Sequence, residues 1–356
     1  MSIRPVKRIV QAQPTMEGAG VHLHRAFGFT ETSETDPFLL FDDFRNDVPR
    51  QYQAGFPWHP HRGIETITYV LAGNVEHADS LGNRGMLGAG DVQWMTAGSG
   101  IVHHEMPQGD AQGRMHGFQL WANLPSSLKM TAPRYQDVQS KEIAEVIDDD
   151  GTIVRVICGE FWGKRGPVDG IAADPCYLDV FVPAGRTKSL PVDAYRSTFA
   201  YIFEGTGTFR HASDPMGVLT ERTAGNDDDL VRDMSGNRSL VLFDSGDEVV
   251  VRAGEQGIRF LLVSGAPIKE PVAWYGPIVM NTQAELQVAM RELQAGTFIK
   301  HGRRGTAPLA VAILPRKPGR HTERARADND GAVPVPGDQS AGWEHVCTEG
   351  TVGDVL

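Results

Sequence analysis

Residues 59–65 read HPHRGIE, and residues 101–107 read IVHHEMP. In an extended segment, residues two apart point to the same face. His59 and His61 therefore present two imidazoles together, and His103 and Glu105 present an imidazole and a carboxylate. Three imidazoles and one carboxylate form a nitrogen and oxygen donor set suited to a borderline divalent metal such as iron, manganese, nickel, copper or zinc. Glu65 is the rival carboxylate on spacing alone. Four donors on a six-coordinate metal leave about two positions open for a ligand, whereas a purely structural site would be closed. His22 and His24 share the same spacing but lack a second ligand pair nearby, and are read as non-ligands. His104 falls on the opposite face from His103 in an extended segment, which places it behind a ligand or at the surface. His77 and His116 are read as core or pocket residues.

The elements that must position these residues are short strands. Residues 36–44 (DPFLLFDDF) form an apolar block between acidic residues, as a buried strand would. Residues 65–73 alternate and then turn at Gly73-Asn74. Residues 74–85 continue as a hairpin with a turn at Gly82-Asn83. Residues 88–98 form a glycine-bounded strand, on which Gln93 lines or supports a pocket and Trp94 and Met95 pack. Residues 116–125 form another strand, ended by proline. The second half repeats this skeleton. AYIFEG at 200–205 matches TYVLAG at 68–73, GDEVVVRAG at 246–254 matches GDVQWMTAG at 90–98, and IRFLLVSGAP at 258–267 matches HGFQLWANLP at 116–125. Three blocks in one order indicate two related β domains. Between the last two blocks the first copy carries about 14 more residues, and that excess contains His103 and Glu105. Opposite His59 and His61 the second copy reads SLPVDAYRST, with no histidine. One copy is thus a metal site and the other a scaffold. A polar loop is expected at 224–239. A helix is expected from the capping box of Thr282 and Glu285, through Leu286, Met290 and Leu293, to a stop at Gly296.

Composition narrows the classes further. A chain of 356 residues with 40% hydrophobic residues can bury a sizeable core, which excludes full disorder. Forty glycines and 22 prolines favour tight turns over long helices. A net charge of −11 argues against direct nucleic-acid binding through a basic surface. Three dispersed cysteines, Cys158, Cys176 and Cys347, give neither a thiolate zinc site nor a redox dithiol. No apolar stretch follows the basic N-terminus and none reaches the length of a membrane span, so a cytoplasmic location and no membrane partner are expected. Residues 300–356 are expected to be a disordered tail with a basic stretch.

Residues 55–107, with DPFLLFDDF upstream and HGFQLWANLP downstream, resemble the pirin family of the cupin superfamily. The motifs HPHRG-x-ET, D-S-x-GN-x-G, GD-x-QWMTAG-x-GI and H-x-EMP occur together and in order. The likeness is dense from 36 to 124, looser to 298, and absent from the tail. It implies an all-β bicupin, with two cupin (double-stranded β-helix, or jelly-roll) domains in tandem. These would be a metal-binding N-terminal cupin over 1–135, a C-terminal cupin without metal over 136–299, a short C-terminal helix and the tail. It places the family's iron ligands on His59, His61, His103 and Glu105, and removes Glu65 from the set. It implies Fe(II), with other divalent metals as substitutes. It also implies quercetin 2,3-dioxygenase activity on a flavonol-like substrate with O2, in which Glu105 accepts the 3-hydroxyl proton. The competing expectation within the family is a redox-sensitive iron-bearing regulator that acts through a protein partner.

Overall fold

The computed structural model describes residues 2–210 and 234–301. The tail reading beyond residue 301, and most of the polar loop expected at 224–239, lie outside the described residues. The last part of that loop is strand and turn, with strands Met234–Gly236 and Ser239–Phe243. No helix among the described residues is long and apolar enough to cross a membrane.

The chain is all-β, built as two cupin barrels. The first combines a seven-stranded and a four-stranded sheet. The seven-stranded sheet runs Arg134–Val138, Val92–Thr96, Ile64–Ala72, His116–Asn123, Phe38–Asp43, Val21–Phe27, Gln13–Glu17. The four-stranded sheet runs Phe56–His61, Ile101–Gln108, Asn74–Asp79, Arg84–Leu87. The second barrel is one curled nine-stranded sheet around Ser197–Phe209 and the long strand Glu248–Gly265. The repeated blocks at 246–254 and 258–267 both lie on that long strand. In the first half the matching blocks are separate strands, with Ile101–Gln108 inserted between them.

Alternation along the strands sorts the side chains. In Ile64–Ala72, Ile67 and Tyr69 enter a shared core with Phe41, Trp94 and Phe118 of the first half and Tyr177, Phe199 and Leu261 of the second. Val70 points the other way, into the first barrel, beside Val21, Leu23, Phe44 and Tyr52. Thr66 and Thr68, in phase with Val70, bring polar groups to the same interior. The second barrel is filled by Val154, Val180, Leu190, Val249, Phe260 and their neighbours. The elements at the two ends of the described residues cross over. Val6–Gln11 pairs with Ser239–Phe243 at the edge of the second barrel's sheet. The helix Gln283–Gln294 and Phe298 pack with Val102 of the first barrel. The helix begins as expected, with the Glu285 amide donating to Thr282 Oγ1 and Thr282 N–H to Glu285 Oε2. It stops at Gly296, whose φ is +69°.

Candidate metal centre

Two antiparallel strands build the centre. Phe56–His61 pairs with Ile101–Gln108 so that His59 stands opposite His103, and His61 lies two residues along the same strand as His59. Between His103 and Glu105 the register shifts, so Glu105 faces Phe56. Such a bulge re-aims the side chains that follow it.

The three imidazoles converge. His59 Nε2 lies 3.0 Å from His61 Nε2 and 2.9 Å from His103 Nε2. Metal–nitrogen bonds of about 2.1 Å at right angles would put the nitrogens about 3.0 Å apart, so the triad fits one ion. The electrostatics agree. His61 and His103 are each 1% exposed. Burial lowers both pKa values: His61 falls well below the usual range, with His59 and His103 adding to the effect, and His103 is pushed down to about 3, with His77 and His104 adding. Neutral imidazoles are the form that binds metal. His59 Nδ1 donates to the Pro57 carbonyl at 2.8 Å, which leaves its Nε2 lone pair facing the triad.

Glu105 stands at the edge of the triad, with Oε2 3.9 Å from His103 Nε2. Thr68 Oγ1 donates to its Oε1 at 3.2 Å, and Gln119 Nε2 reaches both its oxygens at 3.3 and 3.2 Å. Gln119 is held in turn by Trp121 Nε1, which donates to its Oε1 at 3.0 Å, while the Trp121 ring meets His61 edge-on at 5.2 Å. Beyond Glu105 lies a narrow cavity lined mainly by Leu23, Phe44, Tyr52, Phe56 and Met115, with a free volume of about 20 Å³. That is room for one water.

Other candidates fall elsewhere. Glu65 is buried against Thr96, whose Oγ1 donates to it at 2.7 Å, and is outside the convergent group. His22 is exposed, and His24 accepts from Arg238 at 3.1 Å. His104 packs against Trp58, with ring centres 4.5 Å apart and the planes tilted by 38°, and is half-buried, on the face opposite His103. His77 is buried in contact with Gln93 at 2.9 Å. His116 is a pocket and not a core residue: it lines a surface cavity, 2.6 Å from Asp47. Trp94 packs in the shared core and Met95 in a smaller apolar cluster. Thr68, Gln119 and Trp121 escaped the reading of the sequence. Their signal was alternation, since Gln119 and Trp121 alternate with the core residues Phe118, Leu120 and Ala122.

Residues 20–122 match the pirin family model, and residues 177–299 match that of the pirin C-terminal cupin domain. A pirin-like protein of Caulobacter vibrioides is 44% identical over 299 residues, covering 84% of this chain and all of that one. The chain belongs to the pirin family. A solved quercetin 2,3-dioxygenase from Acinetobacter baumannii superposes on this pirin with a TM-score of 0.71 at 30% identity, covering 83% of this chain and 98% of that one. A bacterial pirin from Escherichia coli solved with nickel(II) shares the fold, with a TM-score of 0.53 at 19% identity. Among the described residues of this pirin, His59, His61 and His103 are the group able to hold a metal ion, and all three lie in the first barrel.

Proposed function

We propose that this pirin is an iron-dependent dioxygenase that opens flavonols such as quercetin. The observation that carries the reading is the convergence of three imidazoles, two of them buried and kept neutral, beside a carboxylate aimed by Thr68 and Gln119. The likeness to the Acinetobacter quercetin 2,3-dioxygenase supports the substrate class.

His59, His61 and His103 would hold the metal, with Glu105 as the fourth donor. An Fe(II) ion held there would supply open positions for a chelating 3-hydroxy-4-keto group and for dioxygen. The protein's own part is proton handling and orientation. Glu105 accepts the proton of the flavonol 3-hydroxyl, leaving the oxygen charged and able to chelate. Thr68 and Gln119 donate to the carboxylate and fix its direction, and Trp121 holds Gln119. Dioxygen adds to the heterocycle, the ring opens, and carbon monoxide leaves.

The test is oxygen uptake by the Fe(II)-loaded protein with quercetin. Elemental analysis should find one metal per chain, lost in His59→Ala, His61→Ala and His103→Ala and kept in His22→Ala. Glu105→Gln should keep part of its iron and lose about 10²-fold or more in rate, the scale of a lost general base. Unchanged turnover with iron bound would remove Glu105 from the chemistry. No uptake with any flavonol would sink the dioxygenase reading in favour of a redox-sensitive regulator.

A further inference from the structure

The residue after His61 is tied to the far end of the chain. Arg62 is 2% exposed, although a guanidinium stays charged in proteins. Its Nη1 donates to Glu292 Oε2 at 2.8 Å and its Nη2 to the Phe298 carbonyl at 2.8 Å. The guanidinium also lies 4.1 Å from the centre of the Phe298 ring. The backbone is clamped as well. Arg62 N–H donates to the Pro277 carbonyl at 3.3 Å, and Val279 N–H donates to the Arg62 carbonyl at 3.0 Å. Gly63 has φ +76°, and a Cβ there would fall 1.9 Å from the Val279 carbonyl oxygen. No other residue type fits that contact without moving backbone.

The same C-terminal stretch touches the second ligand strand. A Cβ on Gly100 would lie 3.0 Å from the Phe298 ring. Val102, next to His103, shares an apolar cluster with Ile278, Leu286 and Phe298. Trp58, next to His59, packs against that cluster. The neighbours of all three histidines thus rest on one segment, whose Pro277 backbone also meets the His61 ring.

We propose that residues 277–299 act as a clasp that holds the two histidine-bearing strands in place and sets how slowly a metal leaves the first barrel, with Arg62 as the positioning residue that engages it. A bound ion escapes when a histidine swings out of the convergent geometry. For His61 that motion must carry Arg62, and so must break two charge-assisted hydrogen bonds and a ring contact in a buried setting. The clasp belongs in sequence to the second family domain, which has no metal cluster among its described residues. The second half of the chain would therefore govern metal retention in the first. The inference rests on the metal-binding part of the proposed function and not on dioxygenase activity.

The experiment loads the full-length protein with Ni(II), mixes it with excess chelator and follows metal transfer by stopped flow, with no turnover involved. Glu292→Gln and Phe298→Ala should each release nickel about 10-fold faster or more, within the 10–100-fold range typical of changes around metal ligands. Both should still bind one ion per chain at saturation. Val249→Ala, a cavity in the core of the second barrel, should lower stability without changing the release rate. Wild-type release rates in both clasp variants would overturn the proposal. So would acceleration by Val249→Ala equal to theirs, because release would then track global stability. A wild type that takes up no nickel would overturn the metal-site reading along with it.

Discussion

His103 is defined by a proton it refuses. Its burial and its neighbours His77 and His104 hold it near a pKa of about 3, against a usual value near 6.5. Between those values the unfolded chain binds a proton that the folded one does not, so in the metal-free protein stability falls as pH falls through that window and is flat above it. By pH 4.5 the loss from this one residue is about 2–3 kcal/mol. Urea unfolding with a chelator present, at pH 7 and pH 4.5, should show the wild type losing more than His103→Asn by about that amount. Equal losses in the two proteins would mean that His103 protonates without cost in the folded state. The spacing of the histidines made this triad legible in the sequence, because two-residue periodicity puts His59 and His61 on one face and the insert places His103 opposite them. The setting of Glu105 was not legible. It depends on a bulge, which leaves no sequence mark, and on Thr68 and Gln119, two polar residues among many in the first half.

The strand pattern at element scale was largely visible, since an apolar block between acidic residues marks Phe38–Asp43, and alternation, glycine turns and a terminal proline mark Ile64–Ala72, Asn74–Asp79, Val92–Thr96 and His116–Asn123. What supports the turn at Gly63, just after the histidine-bearing strand, was not. Lys129 follows the 3-10 turn Ser126–Leu128 and is 2% exposed. Its Nζ donates to the Gly63 carbonyl at 2.8 Å and to Asn123 Oδ1 at 2.5 Å. A lone lysine after a turn reads as solvated surface, and only the folded register of Gly63 and Asn123 reveals its task. Burial pushes its pKa down to about 7. Above pH 7 the unfolded chain keeps a proton that the folded one releases, so this group makes stability rise with pH up to its unfolded pKa near 10.4. Below pH 7 the full cost of burying the charge is present. Relative to Lys129→Met, the wild type should therefore gain about 2–3 kcal/mol between pH 7 and pH 9. Guanidinium denaturation of both proteins at the two pH values measures this, and a constant difference between them would show that Lys129 stays charged when folded.

The exchange of the outermost described elements decides how the molecule behaves as a whole. The first strand, Val6–Gln11, closes the edge of the second sheet, and the last helix packs on the first barrel. Neither was legible, because the partner of an edge strand or a terminal helix is settled by distant surfaces and not by local pattern. The internal repeat did indicate two barrels, and their meeting face follows from it: each contributes one apolar face to a shared core. Phe199 of the second half is 1% exposed and meets Phe27, Phe38 and Phe41 of the first edge-on at 5.3, 5.5 and 5.9 Å. A core common to both barrels, with the strand Val6–Gln11 and the helix Gln283–Gln294 each packed on the other half, couples the two interiors. Calorimetry should accordingly show one unfolding transition, not two. Phe199→Ala, which costs about 3–5 kcal/mol by leaving a cavity, should move that whole transition to lower temperature. Saturating nickel, if the triad of the first barrel holds it as proposed, should move it back up for both halves together, since a ligand of the native state stabilises everything that unfolds with its site. Two resolved transitions, with Phe199→Ala shifting one and nickel the other, would show that the barrels unfold independently despite the shared core.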